Sequence, residues 1–233
     1  MKIIRDIRIR IDEEEVLRYQ GYPYKKEKKI NKMIMQITRE EIKHGALLVK
    51  PQGVYCKEMV KEINPSGKVY LKNECSLDFN SSMIQFLKGV NQLILGLVTI
   101  GRELEEKVSE LFSQGDYSRA IALDAVGTVS VTYFRDYVNN IVCQETREQN
   151  LQITRVFSPG SHDWEISQQE NIFQIVPADK IGITLSESYM MYPQKSLSWL
   201  IGSGKKIAVP FKKQNHSCKI CLAENCQFRK SSD

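Results

Sequence analysis

Residues 180–193 read Lys180-Ile181-Gly182-Ile183-Thr184-Leu185-Ser186-Glu187-Ser188-Tyr189-Met190-Met191-Tyr192-Pro193. The first half of this stretch alternates as a half-buried strand does. Glu187 then interrupts a β-run with one carboxylate, which either faces solvent or accepts a hydrogen bond from a cationic or amine-bearing ligand. Downstream, residues 196–201 and 206–209 are again β-rich, and Pro210 closes the ordered pattern. Upstream, a helix is expected over 168–175. Further back, the continuous apolar run Leu93-Ile94-Leu95-Gly96-Leu97-Val98-Thr99-Ile100 reads as a buried strand.

The N-terminal half mixes the two periods. Ile7, Ile9 and Ile11 alternate with charged residues, which predicts a strand. A helix carrying Val16, Leu17 and Tyr19 follows and ends at Gly21. An amphipathic helix is expected over 28–45. Leu47-Leu48-Val49, Val54-Tyr55 and Val69-Tyr70-Leu71 are β-prone, with a turn at Asn64-Pro65-Ser66-Gly67. Asn80 or Ser81 caps a short helix through about Leu87. Leu104, Val108, Leu111 and Phe112 mark another helix, broken by Gly115-Asp116, and a long one spans about 117–144. No regular βαβα alternation emerges. The pattern predicts an α+β fold with a largely antiparallel sheet, organised as one domain over 1–211 and a cysteine-bearing tail over 212–233.

Composition narrows the classes. The chain has 233 residues, 42% hydrophobic and 26% charged, so it can bury a core and is not disordered. A net charge of +5 is mild, and Lys25-Lys26-Glu27-Lys28-Lys29 reads as a solvated loop or helix start rather than a nucleic-acid footprint. No stretch reaches the roughly 18 apolar residues of a membrane span. The N-terminus is charged almost at once, unlike a signal peptide. Six cysteines, three of them crowded into the tail, fit a reduced cytoplasm better than a disulfide scaffold.

Nucleotide-binding glycine loops, zinc-protease helices and nucleophile elbows are absent. His44, His162 and His216 are far apart, and His44 reads as an ordinary satisfied side chain. One loop stands out: Arg155-Val156-Phe157-Ser158-Pro159-Gly160-Ser161-His162-Asp163-Trp164. Pro pre-sets φ and Gly permits backbone that other residues resist, so Ser-Pro-Gly fixes a turn. A glycine there also lets a ligand approach the main chain closely.

Taken together, these segments resemble the activation domain of cobalamin-dependent methionine synthase, especially its stand-alone relatives from anaerobic bacteria. The resemblance rests on Ser158-Pro159-Gly160, Gln169, Ile172-Phe173, residues 180–185, Glu187-Ser188, Met191, Pro193 and Lys195-Ser196. Upstream it includes Val16-Leu17-Arg18-Tyr19-Gln20-Gly21-Tyr22, Thr99-Ile100-Gly101 and Asp124-Ala125-Val126-Gly127-Thr128. It implies a mostly antiparallel curved sheet with flanking helices. It also implies a protein that binds S-adenosylmethionine and helps return an oxidised corrinoid to its methylated form. Such a domain positions a sulfonium methyl group over the cobalt, and does little acid–base work. The implied partners are a corrinoid-binding methyltransferase protein, which carries the cobalamin, and a separate electron donor. The homocysteine-, folate- and cobalamin-binding modules of a complete methionine synthase have no room here.

The resemblance points to Arg155, Ser158, Pro159, Gly160, Ser161 and Glu187 as cofactor-binding residues. Two departures bear on it. The family's turn tyrosine falls on Ser161, with Trp164 the candidate to replace its ring. The family's arginine aligns without gaps on Val156, one position after Arg155. In a loop, a one-residue slip restores the guanidinium; along a strand, it turns the side chain to the other face.

The tail carries a separate signal. His216 precedes Cys218, Cys221 and Cys226, a C-x2-C pair plus a third thiol. Three soft ligands suit an iron–sulfur cluster with one open or remotely supplied position, or zinc completed by His216. A cluster there implies electron delivery to a corrinoid; zinc implies a structural clip. Two further readings stay open: a docking module that has lost the sulfonium ligand, and a redox protein working through the tail. Cys56, Cys75 and Cys143 read as small buried hydrophobes.

Overall fold

Residue 95 sits at the centre of a sheet because its strand is apolar on both faces. The structure, a computed structural model, describes residues 1–22, 30–161 and 164–210. Strand β5 (Gln92–Thr99) pairs antiparallel with β2 (Gln52–Ile63) on one side and β9 (Ser196–Gly204) on the other. Outside β2 come β3 (Lys68–Leu71) and β4 (Ser76–Asp78); outside β9 comes β6 (Gln152–Ile153); β1 (Lys2–Arg5) also pairs with β2. The result is a curled, antiparallel seven-stranded sheet, and the α+β expectation holds. A small hairpin, β7 (Thr184–Leu185) with β8 (Met191–Tyr192), stands apart from it.

Alternation along β5 builds two cores. Leu93, Leu95 and Leu97 join Val54, Phe157, Leu200 and the β3–β4 residues on one face, under α3 (Ser81–Leu87), α6 (Gln168–Ile175) and a 3-10 turn (Ala178–Ile181). Ile94 and Val98 join Tyr55, Trp199 and Ile201 on the other, under α1 (Glu13–Tyr19), α4 (Glu103–Ser113) and α5 (Tyr117–Glu148), with α2 (Lys32–Leu48) packed on α5. Close helix packing rests on small residues. A Cβ on Gly45 of α2 would meet Val126 at 2.6 Å, and one on Gly127 of α5 would meet Leu104 at 2.7 Å. The Asn80 side chain caps α3 by accepting the Met83 N–H at 3.1 Å, as its sequence position suggests.

Four expectations are corrected. Ile7, Ile9 and Ile11 do alternate inward, but the strand is Lys2–Arg5, and the isoleucines lie on the helix-side core without a strand partner. Leu47 and Leu48 extend α2 instead of starting a strand, because Gly45 locks that turn against α5. Residues 181–185 begin as a 3-10 turn, stopped by Gly182 at φ 68°, and only Thr184–Leu185 is strand. Residues 206–209 form no strand: the Ile207 N–H binds the Gln152 side chain and the Ala208 N–H binds the Lys88 carbonyl.

Candidate functional site

The turn segment hangs on the outer edge of β9. Ile153 pairs with Ser203, and Phe157 exchanges both backbone hydrogen bonds with Leu200 at 2.8 and 2.9 Å. Between these pairs lie three residues on one strand (Thr154, Arg155, Val156) and two on the other (Ile201, Gly202). That is a β-bulge, one residue too many on the edge strand. Its extra residue shifts the phase of the side chains. Ile153 and Val156 pack toward the helix-side core, whereas Arg155 and Phe157 share the opposite face.

Thr154 holds the bulge together. Its hydroxyl, 1% exposed as a residue, accepts the Gly202 N–H at 2.9 Å and donates to the Arg155 carbonyl at 2.8 Å. Two main-chain groups that the bulge would strand are thereby matched.

Arg155 then projects between aromatic rings. Its guanidinium carbon lies 4.3 Å from the Phe86 ring centre and 5.1 Å from that of Phe157. Among the described residues it has no carboxylate partner, and its Nε is buried without a hydrogen bond. Burial pushes its pKa down from the ordinary arginine value. A partly desolvated cation flanked by aromatic rings, with an unmatched donor, can receive an anion such as a carboxylate.

After Phe157 the chain turns. The Ser158 hydroxyl donates to the Ser198 carbonyl at 2.9 Å, Pro159 is buried, and Gly160 adopts φ 79°. The Gly160 N–H reaches the Trp164 carbonyl at 2.7 Å, and the Ser161 hydroxyl folds back onto the Ser158 carbonyl at 2.7 Å. Ser161 is thus spent on the turn itself.

The β7–β8 hairpin enters β9 from the same end. Ser196 donates to the Pro193 carbonyl at 2.6 Å, so both segments are fastened to the start of β9. Glu187 lies exposed at the hairpin tip. Among the described residues it makes no hydrogen bond or ion pair with Arg155, Ser158 or Ser161. The turn brings together Arg155, Ser158, Pro159, Gly160 and Ser161, and leaves Glu187 on its own loop.

No family model and no curated protein sequence matches this chain. Among solved structures, it is similar to the crystal structure of the MetH reactivation domain bound to AdoHcy. The TM-score is 0.64 at 15% identity, over 91% of this chain and 79% of that one. The fold is that of the MetH reactivation domain. At this identity the likeness speaks for architecture alone.

Within the reactivation-domain fold, three motifs quoted separately from the sequence converge. The Lys195 ammonium lies 2.7 Å from the Asp124 carboxylate and 2.9 Å from the Thr128 hydroxyl, with its aliphatic stem passing over Gly127. The Lys195 carbonyl accepts the Ile100 N–H at 3.3 Å and the Thr99 hydroxyl at 3.4 Å. These residues anchor the hairpin to β5 and α5.

Trp164 does not replace the missing tyrosine. Its residue is 2% exposed, its ring stacks on Phe79 at 4.9 Å, and its Nε1–H is taken by the Asp78 carbonyl at 2.9 Å. The aromatic residues beside the guanidinium are Phe86 and Phe157, which sequence reasoning missed. Phe86 lies 69 positions upstream of Arg155, and no local signal links the two.

His44 sits on α2 beside Glu41 at 3.2 Å, away from the turn in sequence and structure. His162, His216 and the metal candidates Cys218, Cys221 and Cys226, with the whole 212–233 tail, lie outside the described residues. So does the Lys25–Lys29 run. No group of three His, Cys, Asp or Glu suited to a metal occurs among the described residues. No helix among them is long and apolar enough to cross a membrane.

Proposed function

We propose that this chain is an accessory protein of corrinoid chemistry that binds S-adenosylmethionine at the turn from Arg155 to Ser161. The observation that carries the reading is the half-buried Arg155 guanidinium, whose buried Nε has no hydrogen-bond partner. It faces an aromatic corner in a fold shared with a solved structure that holds AdoHcy. In this reading Arg155 takes the ligand carboxylate. The corrinoid, carried by a separate methyltransferase protein, supplies the metal nucleophile; the sulfonium supplies the methyl group, and an external donor the electron. The protein's share is placement.

Calorimetric titration of anaerobically purified protein with S-adenosylmethionine tests this. Saturable binding that weakens about tenfold or more in Arg155→Ala supports it. A folded protein that binds nothing at millimolar ligand overturns it.

One observation favours a second reading. Ser161, where the resemblance implies a tyrosine, turns its hydroxyl into the loop, which suits a module that docks on a corrinoid methyltransferase without holding the sulfonium ligand. Binding to a corrinoid methyltransferase with no response to S-adenosylmethionine distinguishes it. The tail cysteines add a further proposal, a bound iron–sulfur cluster or zinc. Anaerobic protein free of iron, sulfide and zinc rules that out.

A further inference from the structure

We infer that the extended segment from Ile7 to Ile11, with the groove beside it, is a docking edge for a partner protein. The matching partner element is an extended segment in which apolar and acidic residues alternate. This rests on features independent of the turn at Arg155.

Asp6 takes φ 57° and releases the chain from β1, after which residues 7–11 run on to the cap of α1. Ile7, Ile9 and Ile11 pack inward on the helix-side core, and Arg8 and Arg10 point to solvent. The side chains therefore behave as they do in a strand. The backbone does not: among the described residues, the N–H and C=O groups of 7–11 make no hydrogen bond. An alternating segment with open main-chain groups is an edge onto which another strand can be added.

The neighbouring surface has the matching chemistry. A groove of about 720 Å³ runs between this segment and Ile42, Ala46 and Val49. Beside Ala46, Leu47 is exposed and adds apolar surface next to the groove. A strand laid in the groove would turn alternate side chains toward Ile42, Ala46 and Val49, and apolar residues suit those positions. The residues between them would face outward beside Arg8 and Arg10. Neither arginine has an ion pair or hydrogen bond among the described residues, whereas Arg5 is already committed to the Lys180 carbonyl at 2.7 Å. Asp12 is likewise committed, capping α1 through the Glu14 and Glu15 N–H groups. Cross-strand charge pairing thus selects Asp or Glu at the outward positions.

The test uses the full chain and a short fluorescent peptide of alternating Glu and Val, read by anisotropy and by amide hydrogen exchange. Saturable binding is expected, weakened about tenfold or more in the double variant R8E/R10E, with slowed exchange at residues 7–11. Both arginines are exposed, so the variant keeps the fold; the exchange result on the unmodified chain stands without it. Oligoglutamate binding as tightly, without slowed exchange, overturns the inference in favour of a purely electrostatic surface. Displacement of the peptide by duplex DNA or by phosphatidylserine vesicles, again without slowed exchange, overturns it in favour of those ligands. Absence of peptide binding overturns it outright.

Discussion

Gly96 and Trp199 face each other across the central β5–β9 pair, and the indole covers the glycine so closely that a Cβ on residue 96 would stand 2.3 Å from its ring. Trp199 is fully buried, and no side chain larger than hydrogen fits beneath it. Gly96→Ala is expected to destabilise the protein by about 1–3 kcal/mol, measured by urea unfolding. Combining it with Trp199→Leu should cost less than the sum of the two single changes, because the clash needs both partners.

Thr154→Val removes the hydroxyl that serves the Gly202 N–H and the Arg155 carbonyl. Leaving buried main-chain groups unmatched costs about 1–3 kcal/mol each, so the unfolding midpoint should fall clearly. Thr154→Ser keeps the hydroxyl and should recover most of the loss. The same pair, followed by ligand titration, reports whether the bulge must be intact for binding.

Arg155 is predicted to matter for binding far more than for stability. Its buried Nε has no partner and its charge is partly desolvated, so Arg155→Met should leave stability within about 1 kcal/mol of the parent or raise it. Affinity for S-adenosylmethionine should drop about tenfold or more in the same variant. Differential scanning calorimetry with and without ligand reads both effects.

Acid sensitivity should trace to Glu145. Burial alone would raise its pKa, but hydrogen bonds from Lys2, Lys57 and Tyr55 outweigh that and bring it down to about 2. A carboxylate with a depressed folded pKa adds stability above its unfolded value, and that stability is lost as pH falls toward about 2. Urea midpoints across that acidic range should decline, and Glu145→Gln should flatten the decline.

What the sequence disclosed, and what it concealed, follows from the range of each cause. The helix at 168–175 and the Asn80 cap are set by neighbours within a turn or two, and both appear where the residues say. The apolar run at 93–100 is buried on both faces, so its composition alone marks it as central. Ile7, Ile9 and Ile11 misled because alternation reports which side is buried, not whether another strand supplies hydrogen bonds. Strand β6 is two residues long, and its partners lie about 50 positions away, so no local pattern betrays it or the bulge after it. The turn at Ser158-Pro159-Gly160 was legible from its own chemistry. The ring of Phe86 beside Arg155 was not, because only the packing of α3 against the sheet brings them together.

The bulge also makes chain length itself a determinant of site chemistry. If Val156 were deleted, Arg155 would stand opposite Ile201, and its cation would be driven into the helix-side layer while the pairings at Ile153 and Phe157 stayed unchanged. If Arg155 were deleted instead, Val156 would keep its place and the aromatic corner would lose its charge. A single residue gained or lost here thus decides which face of the edge strand carries the cation.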